Sequence, residues 1–339
     1  MTPDPHGVSQ AGLSRRRVAV GPTIRGLLVG LLLRAAPAAA QGLPLYHPVN
    51  PAAESRTPLY FQPYVDPDPG WHGGLSLDYG SMIELNQRTL ADTIYVLDAE
   101  VMRLNAFVRR DLGTHGYLSA ETYLGGAYDG FLDGFLNWYH GLLGISIPER
   151  VNGPRNQFRY ARAFTGPPLA ELPRKGFYLG DLRVGGGYRF GRHFQSQLTL
   201  TLPTNGSGDG YAKGVVSLGL LNTLRMPFAG RWTYEGSAGL GYAPGHGPIE
   251  NYQRTGFWLL TSGMRYRFWG RGSLFANLFY HSPYYHDTGA SSLDNHDLTL
   301  DFGGILRTSK GTEFRIGMTE DLSPSGPAID LDFRFGLSW

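Results

Sequence analysis

The sequence predicts an all-β protein, an antiparallel up-and-down transmembrane β-barrel of about 12 strands. Three observations predict it. First, the final eleven residues alternate: Ile329, Leu331, Phe333, Phe335, Leu337 and Trp339 fall on one face, and Asp330, Asp332, Arg334, Gly336 and Ser338 on the other. Successive side chains of a strand point to opposite faces, so one face is apolar and the other charged or small. Second, the front of the chain reads as an export signal. Third, eleven upstream segments repeat the alternation, and the connections between them alternate short and long. A barrel with lipid outside, water inside, tight turns at one end and long loops at the other has this pattern. Soluble antiparallel sandwiches also alternate along each strand, but nothing in them calls for alternating connection lengths.

From the N-terminus, residues 1–40 read as a signal peptide. Arg15, Arg16 and Arg17 form a basic block, Leu27 to Leu33 a short apolar core, and Ala38-Ala39-Ala40 a small-residue cleavage pattern before Gln41. The core is too short to cross a bilayer as a helix, and Arg34 interrupts it. Residues 41–70 are proline-rich and lack a period, which predicts an irregular periplasmic segment. Residues 71–339 are the barrel domain.

Within that domain the strand segments follow in order. Leu75, Leu77 and Tyr79 oppose Ser76, Asp78 and Gly80; Met102 to Val108 oppose Arg103 and Asn105; Leu118, Ala120 and Leu124 oppose Ser119 and Glu121. The same parity recurs around Leu182–Phe190, Gln197–Leu202, Val216–Leu220, Trp232–Tyr242, Trp258–Phe268, Leu274–Tyr280, Leu298–Phe302 and Phe314–Thr319. Tight turns fall at Gly113, Gly191, Gly230, Gly270 and Gly311. The longer polar connections are 86–97, 125–176, 203–213, 243–256, 282–296 and 320–328. An even strand count places both termini on one side, the periplasm, and the barrel in the cell outer membrane.

One segment departs from the two-residue period. Between Asp129 and Ile147, residues Phe131, Leu132, Phe135, Leu136, Tyr139, Leu142 and Leu143 recur at helical spacing, with Asp133, Asn137 and His140 opposite. This predicts an amphipathic helix in a long external loop. It can pack on the barrel rim, lie on the membrane surface, or enter the lumen. The last arrangement makes Phe131, Phe135, Trp138, Tyr139 and His140 candidates for a plug or gate.

Composition narrows the function. There is no cysteine, which excludes a lipobox, a disulfide and a thiolate metal site. Lys and Arg number 30 against 28 for Asp and Glu; without the five Arg and one Asp of the signal the counts are 25 and 27. That balance gives no basic footprint for nucleic acid. A mean hydropathy of −0.22 is what a barrel shows when only half of each strand faces lipid. Gly 48 and Tyr 20 suit tight turns and an aromatic girdle.

The inward parity carries Arg103, Glu121, Arg183, Glu235, Arg265, Asp301, Glu313, Arg315, Asp332 and Arg334. On the lipid face each would cost roughly 2–4 kcal/mol near the midplane. In the lumen they form either a salt-bridge network that fills it or a polar path, and Glu313 and Arg315 stand to pair with Asp332 and Arg334. The favoured function is a narrow channel or transporter for small molecules. The alternatives are a closed structural or binding barrel and a lipid-modifying enzyme. For the enzyme, His281-Ser282 is the one adjacent pair at a strand end, and Pro283 follows it. His281, His286 and His296 lie near Asp287, Asp294 and Asp297, but match no metal signature, so neither metal nor cofactor is expected. Expected partners are outer-membrane lipids, a small-molecule solute, and the barrel assembly machinery. The terminal strand ending at Trp339 resembles the C-terminal signal that outer-membrane proteins present to that machinery.

Several runs resemble a family of bacterial outer-membrane proteins classed as a domain of unknown function. They are Thr57-Pro58-Leu59-Tyr60; Phe131-Leu132-Asp133-Gly134-Phe135 with Trp138-Tyr139-His140 and Gly144; Leu179-Gly180-Asp181-Leu182-Arg183-Val184; Leu200-Thr201-Leu202-Pro203-Thr204; and Glu320-Asp321-Leu322. The likeness covers most of residues 57–339 and rests on the order of these short motifs. Thr57 replaces an expected asparagine, and Ser146-Ile147 is an insertion. The resemblance implies the barrel fold and the outer-membrane compartment, and carries no assigned activity.

Overall fold

The computed structural model describes residues 43–88, 93–144, 150, 154–163, 175–207, 210–211, 213–323, 326–327 and 330–339. The expected signal peptide, Ile329 and the C-terminal end of the expected helix lie outside them.

Among the described residues, fourteen strands form one antiparallel sheet. They are β1 (Trp71–Arg88), β2 (Thr93–Leu112), β3 (Gly116–Tyr128), β4 (Arg159–Ala163), β5 (Gly176–Leu179), β6 (Leu182–Arg189), β7 (Phe194–Leu202), β8 (Ser217–Phe228), β9 (Trp232–Tyr242), β10 (Gly256–Arg267), β11 (Gly272–His281), β12 (Asp297–Arg307), β13 (Glu313–Asp321) and β14 (Leu331–Ser338). Two of them only extend their neighbours. β3 pairs with β2 along Glu100–Leu112, and β4 continues that line along Ile94–Asp98. β5 and β6 both pair with β3 and are one stave broken at Gly180-Asp181. The barrel therefore has 12 staves. β1 pairs with β14 from Gly74↔Ser338 to Ser81↔Leu331, which closes the ring. Closure leaves no edge with unpaired backbone groups, as lipid demands.

One end of the barrel carries the tight turns. Gly113, Gly191, Gly230 and Gly311 there have φ of 72, 91, 68 and 90°, a left-handed region that suits glycine. The opposite end carries the long connections. The first of these differs from expectation: β1 and β2 pair continuously to Arg88↔Thr93, so 86–97 is mostly ribbon rather than loop. The β-forming run Ile94-Tyr95-Val96-Leu97 extends the pairing past the polar Asn86-Gln87-Arg88.

The outer surface is apolar. Leu118, Leu198, Leu240, Leu260, Leu274 and Ile316 are all about half exposed or more. Trp71, Phe190, Phe228, Trp232 and Trp269 ring the turn end, and Phe177, Tyr242 and Trp258 the loop end. An apolar band between two aromatic girdles is a lipid-facing surface. No described helix is long and apolar enough to cross a membrane; strands make the crossing.

Two placements correct the sequence reading. Residues 43–66 are not an irregular segment beyond the barrel. They lie inside it, nearly all buried, and include a short helix α1 (Pro51–Glu54). The helix α2 (Asp133–Leu143) is not in the lumen. Leu132, at its N-cap, and its Leu136 pack on Leu331, with Tyr79, Met318 and Phe333 around them. These wall residues have outward parity, opposite to Asp78 and Asp332. Phe135 sits 5.9 Å from the Phe333 ring, and Tyr139 donates a 2.8 Å hydrogen bond to Glu320. Of the five plug candidates, Phe131, Phe135 and Trp138 are exposed, while Tyr139 and His140 face the outer wall.

The physical reason is polar. The outer wall at the loop end carries Glu100, Glu320 and Asp330, which lipid would penalise. The Glu100 carboxylate accepts the backbone N–H groups of Phe131 and Leu132 and the Tyr79 hydroxyl. Unpaired donors at a helix start favour such an anion. Arg150 joins Asp133, Asp330 and Ser81, and thereby fixes the helix on the wall.

Candidate functional site

The candidate site is the occupied lumen. Its insert is a hairpin. One limb runs from Leu43 to Asn50, α1 turns it at the loop end, and Thr57 to Asp66 return to the turn end. Tyr46 and Phe61 exchange both backbone hydrogen bonds across the limbs, at 3.1 and 3.0 Å. Pro51 at the first helical position and the Asn50 side chain accepting from Ala52 N–H start α1. At the other end, Val65 N–H donates to Gln195 and Tyr64 OH to the Gly191 carbonyl, while Asp66 pairs with Arg225.

The wall leaves room for this hairpin. A Cβ on Gly241 would stand 2.7 Å from Pro58 Cγ, one on Gly219 2.9 Å from the Pro58 carbonyl, and one on Gly263 2.6 Å from Leu43 Cδ1. Such distances are too short for carbon contacts. Glycine at these inward positions makes the seat for Pro58, Leu59 and Leu43.

Charges latch the insert. Glu54 is the centre: Arg103 pairs with it at 2.7 Å, Arg183 at 2.5 Å, and Lys213 Nζ donates to its backbone carbonyl at 2.7 Å. Burial pushes the Lys213 ammonium down to about 8, against the opposing pull of Glu54. Arg183 also donates to His47 Nδ1 at 2.8 Å and lies over the Tyr60 ring, on which His47 stacks. Arg56 donates to three backbone carbonyls, those of Ala243, Pro244 and Arg254. Buried charges are tolerable only when paired and hydrogen-bonded in this way.

The remaining inward charges fall into three groups. Glu121 accepts from Arg183 at 3.0 Å, and Glu235 accepts the Leu43 N–H at 2.8 Å. Arg334 pairs with Asp78 at 2.7 Å and Asp301 at 2.9 Å, lies 3.8 Å from Asp332, and donates to the Leu45 carbonyl. Glu313 bridges Arg265 and Arg315 at 3.3 and 3.4 Å. The expected exchange of Glu313 and Arg315 with Asp332 and Arg334 is not made: Glu313 takes Arg265 and Arg315, and Arg334 takes Asp78 and Asp301. Asp330, which the alternation put on the face of Asp332 and Arg334, lies instead at the outer wall, with His140 and Arg150.

The strand-end His281-Ser282 pair is not a nucleophile and base. His281 faces the lumen and shares a 2.7 Å hydrogen bond with Thr57 Oγ1. Ser282 Oγ accepts instead from Trp258 N–H. Asp294 caps the turn at Thr288 and Gly289, and Asp297 at the start of β12 accepts from Tyr284, so the two carboxylates serve separate local contacts.

Sequence reasoning missed the insert. The signal was available in two halves: four aromatics, Tyr46, Tyr60, Phe61 and Tyr64, in a stretch read as irregular, and glycines at inward parity in β8, β9 and β10.

Solved structures with a similar course share little sequence. The COG4313 outer membrane channel from Pseudomonas putida F1 superposes with a TM-score of 0.51 at 12% identity, covering 81% of this chain and 99% of that one. The NanC porin gives 0.45 at 8% identity, with 80% and 99% covered, and the KdgM porin 0.39 at 11%, with 78% and 98% covered. At these identities the first likeness is one of fold. Among curated proteins none matches this chain. Residues 74–339 match the family described as protein of unknown function (DUF3187), and the chain belongs to that family.

Proposed function

We propose that this protein is an outer-membrane channel for small molecules, held closed by its own residues 43–66. Both termini then face the periplasm, and the terminal strand ending at Trp339 is read by the barrel assembly machinery. The observation that carries the reading is that the wall does not fill its own lumen. Where Leu43, Pro58 and Leu59 sit, the inward positions Gly219, Gly241 and Gly263 have no side chain, and the wall groups Arg103, Arg183, Glu235 and Arg334 all bond to the insert. A barrel meant only to be solid would pack its interior with wall side chains. An insert that is mostly side-chain-bonded can leave without breaking a strand ladder.

The test is a planar-bilayer recording of the full chain and of a variant lacking residues 43–66, each checked for the heat-modifiable gel shift of a folded barrel. The full chain is expected to be closed or to open briefly, and the deletion to conduct in steady steps. A deletion variant that keeps the gel shift and does not conduct removes the channel reading and leaves a structural or binding barrel.

A further inference from the structure

The turn end holds a second feature that the insert does not touch. Between the β8–β9, β10–β11 and β12 ends lies a concavity of about 450 Å³. Among the described residues its lining includes Arg231, Arg265, Arg267, Arg271 and Arg307, with Thr233 and Ser273, and no Asp or Glu. The backbone brings the arginines together. Arg267 N–H donates to the Arg231 carbonyl at 2.9 Å, and Arg307 N–H to the Arg271 carbonyl at 2.8 Å. Each pair thus joins a turn arginine to a strand arginine of inward parity. The two pairs stand on neighbouring hairpins, since Arg267 registers with Ser273 across β10 and β11. Arg265 lies one inward position deeper and pairs with Glu313; Arg267 also donates to the Gly230 carbonyl.

We propose that this vestibule binds anionic solutes that present a phosphate or clustered carboxylates. Guanidinium forks match the two-oxygen geometry of such groups. A concave wall of one sign raises the local concentration of the opposite charge, and the volume suits a small solute. Arg231 and Arg271 are exposed turn residues, so they supply charge without holding the barrel together. The same chemistry could be met by a free solute or by the phosphate of an anionic lipid at that rim. The site does not depend on the channel reading: binding is measured on the closed barrel, without any conductance.

The experiment is calorimetric titration of the full chain with inorganic pyrophosphate, in uncharged detergent. The wild type is expected to bind, and to bind more weakly as salt rises. R231Q/R271Q is expected to bind at least about tenfold more weakly, because charge-assisted bonds are lost. R231K/R271K, which keeps charge without the fork, should fall between, and R192Q at another turn should bind as the wild type. A parallel arm measures phosphatidylglycerol retained from mixed vesicles. Retention that R231Q/R271Q abolishes, with no pyrophosphate binding, assigns the site to lipid headgroups. Absent binding of both probes, or binding unchanged in R231Q/R271Q with the gel shift intact, overturns the proposal.

Discussion

Glu54 is the residue on which the proposed closed state turns. One carboxylate answers three cations from three parts of the wall, namely β2, β6 and the β7–β8 connection. Glu54→Gln would leave Arg103 and Lys213 without their carboxylate and Arg183 with Glu121 alone. Breaking a buried pair of this kind costs about 3–5 kcal/mol. The expected outcome is a barrel that still folds and opens far more often, seen as conductance steps in the full-length variant. Wild-type closure in E54Q would remove the latch role from this residue. Lys213 stands farthest from the Glu54 carboxylate, at 3.5 Å against 2.7 and 2.5 Å for Arg103 and Arg183.

At the scale of elements, α2 belongs to the wall and not to the pore. Its Leu136 is fully buried between the helix and β14, β1 and β13. Leu136→Asp should detach the helix, at about 2–5 kcal/mol by analogy with large-to-small core changes. It should lower thermal stability without opening the lumen, and bilayer recordings together with a melting curve check both halves. Conductance that appears on detaching the helix would return it to a gating role. The strands themselves were legible from parity, since β7, and β10 as far as Gly263, bury every second residue as their sequences imply. The helix was legible as a helix but not by location. Apolar residues lie on both its sides, Leu132 and Leu136 against the wall and Phe131, Trp138 and Leu142 outward, so periodicity alone could not say which side the protein covers. The insert was not legible at all: it has neither period, and its apolar residues Leu43, Tyr46, Val49, Leu59 and Phe61 gain meaning only once the wall glycines face them.

At the scale of the molecule, the two faces of the wall obey opposite rules. Leu198 lies midway along β7 on the outer face and is 56% exposed. Leu198→Arg should destabilise the protein by about 2–4 kcal/mol if it sits near the midplane, measured by denaturant unfolding from lipid vesicles. Its neighbour Gln197 faces inward, buried, and donates to Ser119; Gln197→Glu there should cost less than the outward arginine. Equal penalties at the two positions would contradict the lipid-facing assignment.

The insert ends at Asp66, and β1 begins five residues later at Trp71. It is therefore a ligand on a leash. Once withdrawn it cannot diffuse away, and over so short a tether its effective concentration at its own seat is in the millimolar range or above. Any solute that uses this lumen competes with that resident peptide at every passage. A detached peptide spanning Leu43 to Asp66, added to the deletion variant, would have to be supplied at comparable concentration to silence it.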